Sequence, residues 1–288
     1  MPELPEVETV ARGLAKRITG DVIESVWIGA KRQPLKSPAR LIADTLEHKR
    51  IARVGRMGKH IVFELAEGDG GVAAEGKHAR AGTPVPPLMR AQWIVHLGMT
   101  GRMLVCDPDQ AAVKHTHLVA RLASGKEVRF IDPRMFGKLQ VVERADFDPG
   151  GREPLETDRE TFIAMFRGRK TPIKSALLNQ KLLRGIGNIY ADEALTRAGI
   201  RPRRRASSLT RDQLGKLFAG VQKVLREAIA LGGSSVSDYV GADGEEGFFQ
   251  LQHRVYGREG EPCLKCKAAI KRVVIAGRSS HYCPKCQK

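Results

Sequence analysis

Four cysteines near the end of the chain set the tightest limit on its fold. Cys263 and Cys266 are separated by two residues, as are Cys283 and Cys286, and sixteen residues lie between the pairs. This Cys-x2-Cys-x16-Cys-x2-Cys spacing is that of a structural zinc site, in which each tight turn presents two sulfurs to one tetrahedral ion. A pair of disulfides is the alternative, and it needs an oxidising compartment. The N-terminus, Met-Pro-Glu-Leu-Pro-Glu, is acidic where a secretion signal is basic and then apolar, which favours zinc and a cytoplasmic location. The fifth cysteine, Cys106, follows Met103-Leu-Val and reads as a small buried hydrophobe.

The sequence carries 49 Lys or Arg against 32 Asp or Glu, a formal charge of +17. That excess favours a polyanionic partner, either nucleic acid or an anionic membrane surface. No apolar run is long enough to span a bilayer, and no basic amphipathic helix is evident, so a membrane partner is not expected. The charge is concentrated at the end, where residues 253–288 hold nine cations and two acids. A basic, zinc-stapled hairpin of that size points to phosphate contacts. Arg201 and Arg203 to Arg205 form a second basic cluster, readable either as a solvated loop or as a phosphate site.

The length of 288 residues suits two ordinary domains with a small appendage. A first helix begins at once, with Pro5 and Glu6 in its first turn, an apolar stripe of Val7, Val10, Leu14 and Ile18, and Gly20 closing it. Strand-like segments follow at 22–28, 60–65, 93–97, 102–105, 118–122, 127–131 and 138–142, as in an antiparallel sandwich or barrel. Residues 67–87 are rich in Gly, Ala and Pro and read as a loop inserted between two strands. The pattern breaks again at 146–158 and then becomes helical. Thr171 and Pro172 are expected to start a helix running through Leu182. Gly185-Ile-Gly187 breaks the chain, and Asn188 is expected to cap a helix ending at Gly199. Thr210 and Gln213 form a capping box for a longer helix ending near Gly232. The predicted architecture is α+β: an N-terminal helix and antiparallel β-sandwich or barrel over 1–148, a helical domain over 149–248 whose helix–glycine turn–helix reads either as a DNA-binding layout or as a plain helix connection, and a four-cysteine zinc finger over 249–288.

The N-terminus also carries chemistry. Initiator Met is usually removed before Pro, which leaves Pro2 as a free secondary amine with a pKa of roughly 8, partly neutral and nucleophilic near pH 7. Glu3 and Glu6 flank it. On these residues alone, an ordinary acidic helix start is the simpler reading.

A wider pattern changes that weight. Met1-Pro-Glu-Leu-Pro-Glu-Val-Glu-Thr9, Gly58-Lys59, His96-Leu-Gly-Met-Thr-Gly101, Asp132-Pro-Arg-Met-Phe-Gly137, Lys170-Thr-Pro-Ile-Lys174, Gly185-Ile-Gly-Asn-Ile-Tyr-Ala-Asp-Glu193, Val255-Tyr-Gly-Arg-Glu-Gly-Glu-Pro-Cys263 and Arg278-Ser-Ser-His-Tyr-Cys283 occur in that order. Together they resemble the bacterial formamidopyrimidine-DNA glycosylase family along nearly the full chain. The resemblance implies a monomeric base-excision repair enzyme that acts on double-stranded DNA, removes oxidised purines such as 8-oxoguanine and formamidopyrimidines, and then cuts the strand by β- and δ-elimination. It implies Pro2 as the Schiff-base nucleophile, Glu3 as proton donor and Glu6 as a supporting acid. Lys59 and Arg278 match the residues assigned to the β- and δ-eliminations. His115, Arg134, Lys170 and Asn188 match DNA contacts, and Lys174 lies in a motif expected to face the DNA. Met99, Arg134 and Phe136 match the trio that fills the hole left by the flipped base, and residues 232–247 match a loop that closes over it. The helical part corresponds to a helix–two-turn–helix motif, the metal is one structural Zn2+, and the location is the cytoplasm, in association with the nucleoid. Two other readings remain: an endonuclease VIII-like enzyme for oxidised pyrimidines, and a non-catalytic protein that binds damaged DNA. The 67–87 insertion departs from the family and carries no assigned role, while Asn179 and Leu183-Arg184 replace residues common in it.

Overall fold

The computed structural model describes residues 1–68, 91–111, 113–144, 146–235, 241–242 and 244–288. The predicted insertion at 67–87 thus lies almost wholly outside the described residues, as does part of the loop at 232–247.

Helix α1 (Leu4–Ile18) buries Val7, Val10, Ala11, Leu14 and Ile18 along one stripe, and Gly20 leaves it with φ +91°. Eight strands follow, interrupted by a short helix: β1 (Ile23–Ile28), α2 (Ala39–Leu46), β2 (Lys49–Met57), β3 (His60–Glu67), β4 (Ala91–His96), β5 (Arg102–Cys106), β6 (Thr116–Leu122), β7 (Glu127–Ile131) and β8 (Lys138–Val142). They form two antiparallel sheets in the orders β1-β6-β7-β5 and β2-β3-β4-β8. One apolar core lies between the sheets, filled by Phe63, Trp93, Leu118 and Phe130 and joined by the stripe of α1. Strand β2 and helix α2 escaped the sequence reading. A bulge between Ile51 and Arg53 breaks the alternation of β2, and α2 buries only Ile42 and Leu46.

The remainder is helical: α3 (Arg159–Phe166), α4 (Ile173–Leu177), α5 (Asn188–Ala198) and α6 (Arg211–Ala230), around a second core that includes Phe162, Phe166, Tyr190, Leu217 and Phe249. Thr210 and Gln213 make the expected capping box, and Gly199 ends α5 in the left-handed region at φ +69°. Two expectations need correction. The helix predicted from Thr171 through Leu182 is the single-turn α4, preceded by Pro172 with no side-chain cap. Beyond Leu177, Gln180 captures the turning chain, donating to the carbonyls of Leu178 and Ile186 and accepting from Gly185 N–H. The residue before α5 is Gly187, and Asn188 is the first helical residue. Strands β9 (Lys271–Ile275) and β10 (Arg278–Tyr282) form the final hairpin over a small core of Val255, Ile270 and the cysteines. Leu4 belongs to the second core while Val7 onward belongs to the first, so the start of α1 lies where the two cores meet.

Candidate active site

Pro2, Glu3 and Glu6 sit at that junction, all three buried. The carboxylate of Glu3 reaches the N-terminus of α5, accepting from Ile189 N–H at 3.1 Å and Tyr190 N–H at 3.4 Å. Unpaired amides at a helix start are natural partners for a carboxylate. Gly187 makes this approach possible, since a Cβ there would collide with the Glu3 carboxylate. Glu6 turns back: one oxygen accepts Glu3 N–H at 2.8 Å, and the other accepts the Tyr190 hydroxyl and Ser234 N–H, the latter at 2.8 Å. Burial raises the pKa of Glu3, opposed by the Lys59 ammonium and the two α5 amides. Burial and then the neighbouring Glu3 push Glu6 up to about 7, against its three donors. Of these two adjacent buried carboxyls, Glu6 can therefore hold a proton close to neutrality.

Lys59 arrives on the tight turn between β2 and β3, next to Gly58 at φ +61°. Burial lowers its pKa, Glu3 opposes that shift, and Arg278 adds to it. The structure thus couples Lys59 electrostatically to both Glu3 and Arg278, although they come from three distant parts of the chain. Arg278 is exposed at the start of β10. Asn188 is half-buried nearby, and its amide donates to Ser279 Oγ at 3.3 Å.

A second group of predicted residues gathers on two loops of the sandwich. Met99 and Phe136 are exposed apolar side chains, and Arg134 lies over the Phe136 ring at 5.0 Å. Buried Asp132 organises them: its carboxylate accepts Thr100 Oγ1 at 2.6 Å, Arg134 N–H at 3.2 Å and Gly137 N–H at 2.7 Å. His115 is exposed, and its carbonyl accepts Asp132 N–H at 3.0 Å, so it sits beside this group. Lys170 is exposed on the connector between α3 and α4.

Lys174 does not join these surfaces. It is 1% exposed, with its ammonium 2.6 Å from Asp192 and donating to the Ser279 carbonyl at 2.6 Å. Asp192 also accepts His281 N–H at 2.9 Å. The expected DNA contact is therefore corrected to an internal brace that ties α4 and α5 to β10. Sequence reasoning also missed Tyr190 and Asp132 as site-building residues. Both stood inside quoted motifs, but their partners are remote in the chain.

At the far end, the Sγ atoms of Cys263, Cys266, Cys283 and Cys286 all lie within 4.8 Å of one another, and all four thiols are free of disulfides. A Zn–S bond of about 2.3 Å places tetrahedral sulfurs about 3.8 Å apart. The observed pairs at 3.9 Å and 3.4 Å fit that spacing. The set holds one structural Zn2+, with four thiolates leaving no coordination position open.

Comparison with known proteins gives three family matches: the formamidopyrimidine-DNA glycosylase N-terminal domain over residues 1–139, the formamidopyrimidine-DNA glycosylase H2TH domain over 151–240, and the zinc finger found in FPG and IleRS over 260–288. A formamidopyrimidine-DNA glycosylase of Solibacter usitatus is 43% identical over 290 residues, covering both chains fully. A Lactococcus lactis FPG mutant in complex with Fapy-dG-containing DNA has a TM-score of 0.86 at 32% identity, again over the whole of both chains. The wild-type Lactococcus lactis protein bound to DNA containing an oxidised pyrimidine gives 0.84 at 32% identity and the same coverage.

Proposed function

The chain belongs to the formamidopyrimidine-DNA glycosylase family, and from that premise we propose that it is a base-excision repair enzyme, a bifunctional glycosylase and lyase acting on oxidised purines in duplex DNA. The observation that carries this reading is the buried Glu3–Glu6 pair under Pro2, facing the cation of Lys59. Once Met1 is removed, the Pro2 nitrogen is a secondary amine that attacks C1′ of the damaged nucleotide. The C1′–base bond breaks, the base leaves with a proton, and an iminium forms between Pro2 and the opened sugar. Glu3, its carboxyl raised by burial, supplies the proton to the sugar oxygen or the leaving group. The iminium draws electrons from C2′, so loss of the C2′ proton expels the 3′ phosphate, and a second elimination expels the 5′ phosphate. Lys59 and Arg278 hold these phosphates and stabilise them as they depart. Burial lowers the pKa of Lys59, which also suits it to proton transfer.

The damaged base leaves the stack before attack, at a cost of a few kcal/mol. Met99 and Phe136 fill the gap as apolar wedges, and Arg134 meets the orphaned base. His115, Lys170 and Asn188 contact the backbone. The loop at 232–247 covers the flipped base, rooted on Glu6 through Ser234 N–H. We assign 1–148 to the catalytic sandwich, 149–248 to the helical domain and 249–288 to the finger. No described helix is long and apolar enough to cross a membrane, and a charge of +17 suits a nucleoid-associated monomer.

The test compares strand nicking on 8-oxoguanine:cytosine and thymine-glycol:adenine duplexes, with Glu3→Gln alongside. Faster nicking of the purine lesion is expected, with excision by Glu3→Gln reduced roughly 10²–10⁴-fold. Faster nicking of the pyrimidine lesion selects the endonuclease VIII-like reading. Tight binding without any nicking selects the non-catalytic one.

A further inference from the structure

Helix α1 carries a second feature two turns beyond its catalytic end. Gly13 lies seven residues after Glu6, on the same face and about 10 Å further along the axis. A Cβ at Gly13 would stand only 3.0 Å from the Ala242 Cβ. Ala242 reaches this point from the helical side of the molecule, on the excursion between α6 and the short turn at Phe249–Gln252. It is 2% exposed and belongs to the sandwich core, with Val10, Leu14 and Met103. Its carbonyl accepts Val105 N–H at 3.2 Å. Strand β5 is an edge of its sheet, so the bond satisfies an amide on the outer side of that edge.

The near end of the same excursion is tied to α1 as well. Ser234 N–H donates to Glu6 Oε1 at 2.8 Å, and Ser234 Oγ lies 3.1 Å from His253 Nε2. Gly233 permits that approach, since a Cβ there would stand 3.0 Å from the Glu6 side chain, and its φ is +83°. The chain between Ser234 and Ala242 is therefore held at both ends on one face of one helix. One tie is at Glu6, beside the reacting centre, and the other is at Gly13. A glycine inside a helix costs about 1 kcal/mol relative to alanine. The apolar stripe of α1 is otherwise regular, so what explains glycine at this position is the residue that comes against it.

We propose that Gly13 is the seat for Ala242 and, through it, a positioning residue for base selection, acting two turns away from the reacting atoms. This rests on the reading that residues 232–247 cover the flipped base. Tying both ends of a chain segment lowers the entropy that the segment still has to lose when it meets a ligand. Filling the seat frees one end, and the cost then falls on any substrate that has a base to cover. An abasic site has none. The seat should thus govern excision of a damaged base and be silent in cleavage of a strand that has already lost it.

The test uses the full-length protein with Met1 removed and two duplexes, one with 8-oxoguanine opposite cytosine and one with a ready-made abasic site. The variants are Gly13→Leu, Gly13→Ala, and Gly13→Ala combined with Ala242→Gly. Gly13→Ala favours the helix itself, so its melting temperature should not fall. In Gly13→Leu, kcat/KM for 8-oxoguanine excision should drop about 10- to 10²-fold, the scale of a misplacement of about 1 Å. Gly13→Ala should show a smaller drop, and Ala242→Gly, which removes the methyl group it meets, should reverse it. Nicking of the abasic duplex should stay at the parent rate in all three. Unchanged excision in Gly13→Leu, equal losses on both duplexes, or a Gly13→Ala loss that Ala242→Gly does not reverse would each overturn the proposal. Seating is also read without DNA: the Val105 amide hydrogen should exchange slowly in the parent and rapidly in Gly13→Leu. Rapid exchange in the parent overturns the seat as well. A parent that excises nothing yet shows this exchange pattern contradicts the enzyme reading and leaves the seat in place.

Discussion

Glu6 accepts hydrogen bonds from Glu3 N–H, Ser234 N–H and the Tyr190 hydroxyl, all of which favour its ionised form, yet its pKa stands at about 7 rather than 4.5. Burial and the adjacent Glu3 outweigh the three donors. Between those two pKa values the folded protein binds more protons than the unfolded chain, so this group makes stability fall as pH rises from about 4.5 to about 7. The full shift corresponds to at most about 3 kcal/mol. Glu6→Gln should remove that component: relative to the parent, its unfolding free energy in urea should rise between pH 5 and pH 8. A parent-minus-variant difference that is flat with pH would show that Glu6 does not carry the proton. The adjacency of Pro2, Glu3 and Glu6 was legible in the sequence. What holds them was not, because Tyr190 and Ser234 lie 184 and 228 residues from Glu6.

Among the elements, α4 shows where sequence patterning runs out. Apolar residues at Leu177, Leu178 and Leu182 suit a helix, but side-chain capture by Gln180 ends it after one turn. That turn places Lys174 inward on Asp192, beneath the strand that begins with Arg278. Lysine is rarely buried, and nothing in a local pattern distinguishes it from exposed Lys170 four residues earlier. The two should respond oppositely to substitution. Lys174→Met leaves Asp192 buried without its cation and should cost about 3–5 kcal/mol, seen as a lower melting temperature, with part of the loss recovered on adding Asp192→Asn. Lys170→Ala should weaken DNA binding and leave the melting temperature unchanged. If both variants melt like the parent, the brace does not exist. Strand β2 was missed for a related reason: the bulge between Ile51 and Arg53 leaves its buried residues, Ile51 and Val54, three apart, which breaks the period-two signal that marked β3.

Across the whole molecule, two cores meet at one helix. Leu4 packs in the helical core and Val7 to Ile18 in the sandwich core, so the first turn of α1 is fixed from both sides. Pro2 lies immediately before that turn, with Lys59 reaching in from the sandwich and the α5 amides from the helical part. The α+β class and the four-cysteine finger were readable because periodicity and ligand spacing are local properties. The convergence of residues 2, 59, 188 and 278 is a property of tertiary packing, and only the ordered motifs of the family hinted at it. The proposed chemistry depends on a free secondary amine at residue 2. The decisive measurement is borohydride trapping on an 8-oxoguanine:cytosine duplex, using protein with Met1 removed and protein that retains it. A covalent protein–DNA adduct should form with the first and be absent from the second, whose Pro2 nitrogen is an amide. No adduct from processed protein that binds the duplex, or equal adduct from both forms, would contradict the Pro2 mechanism.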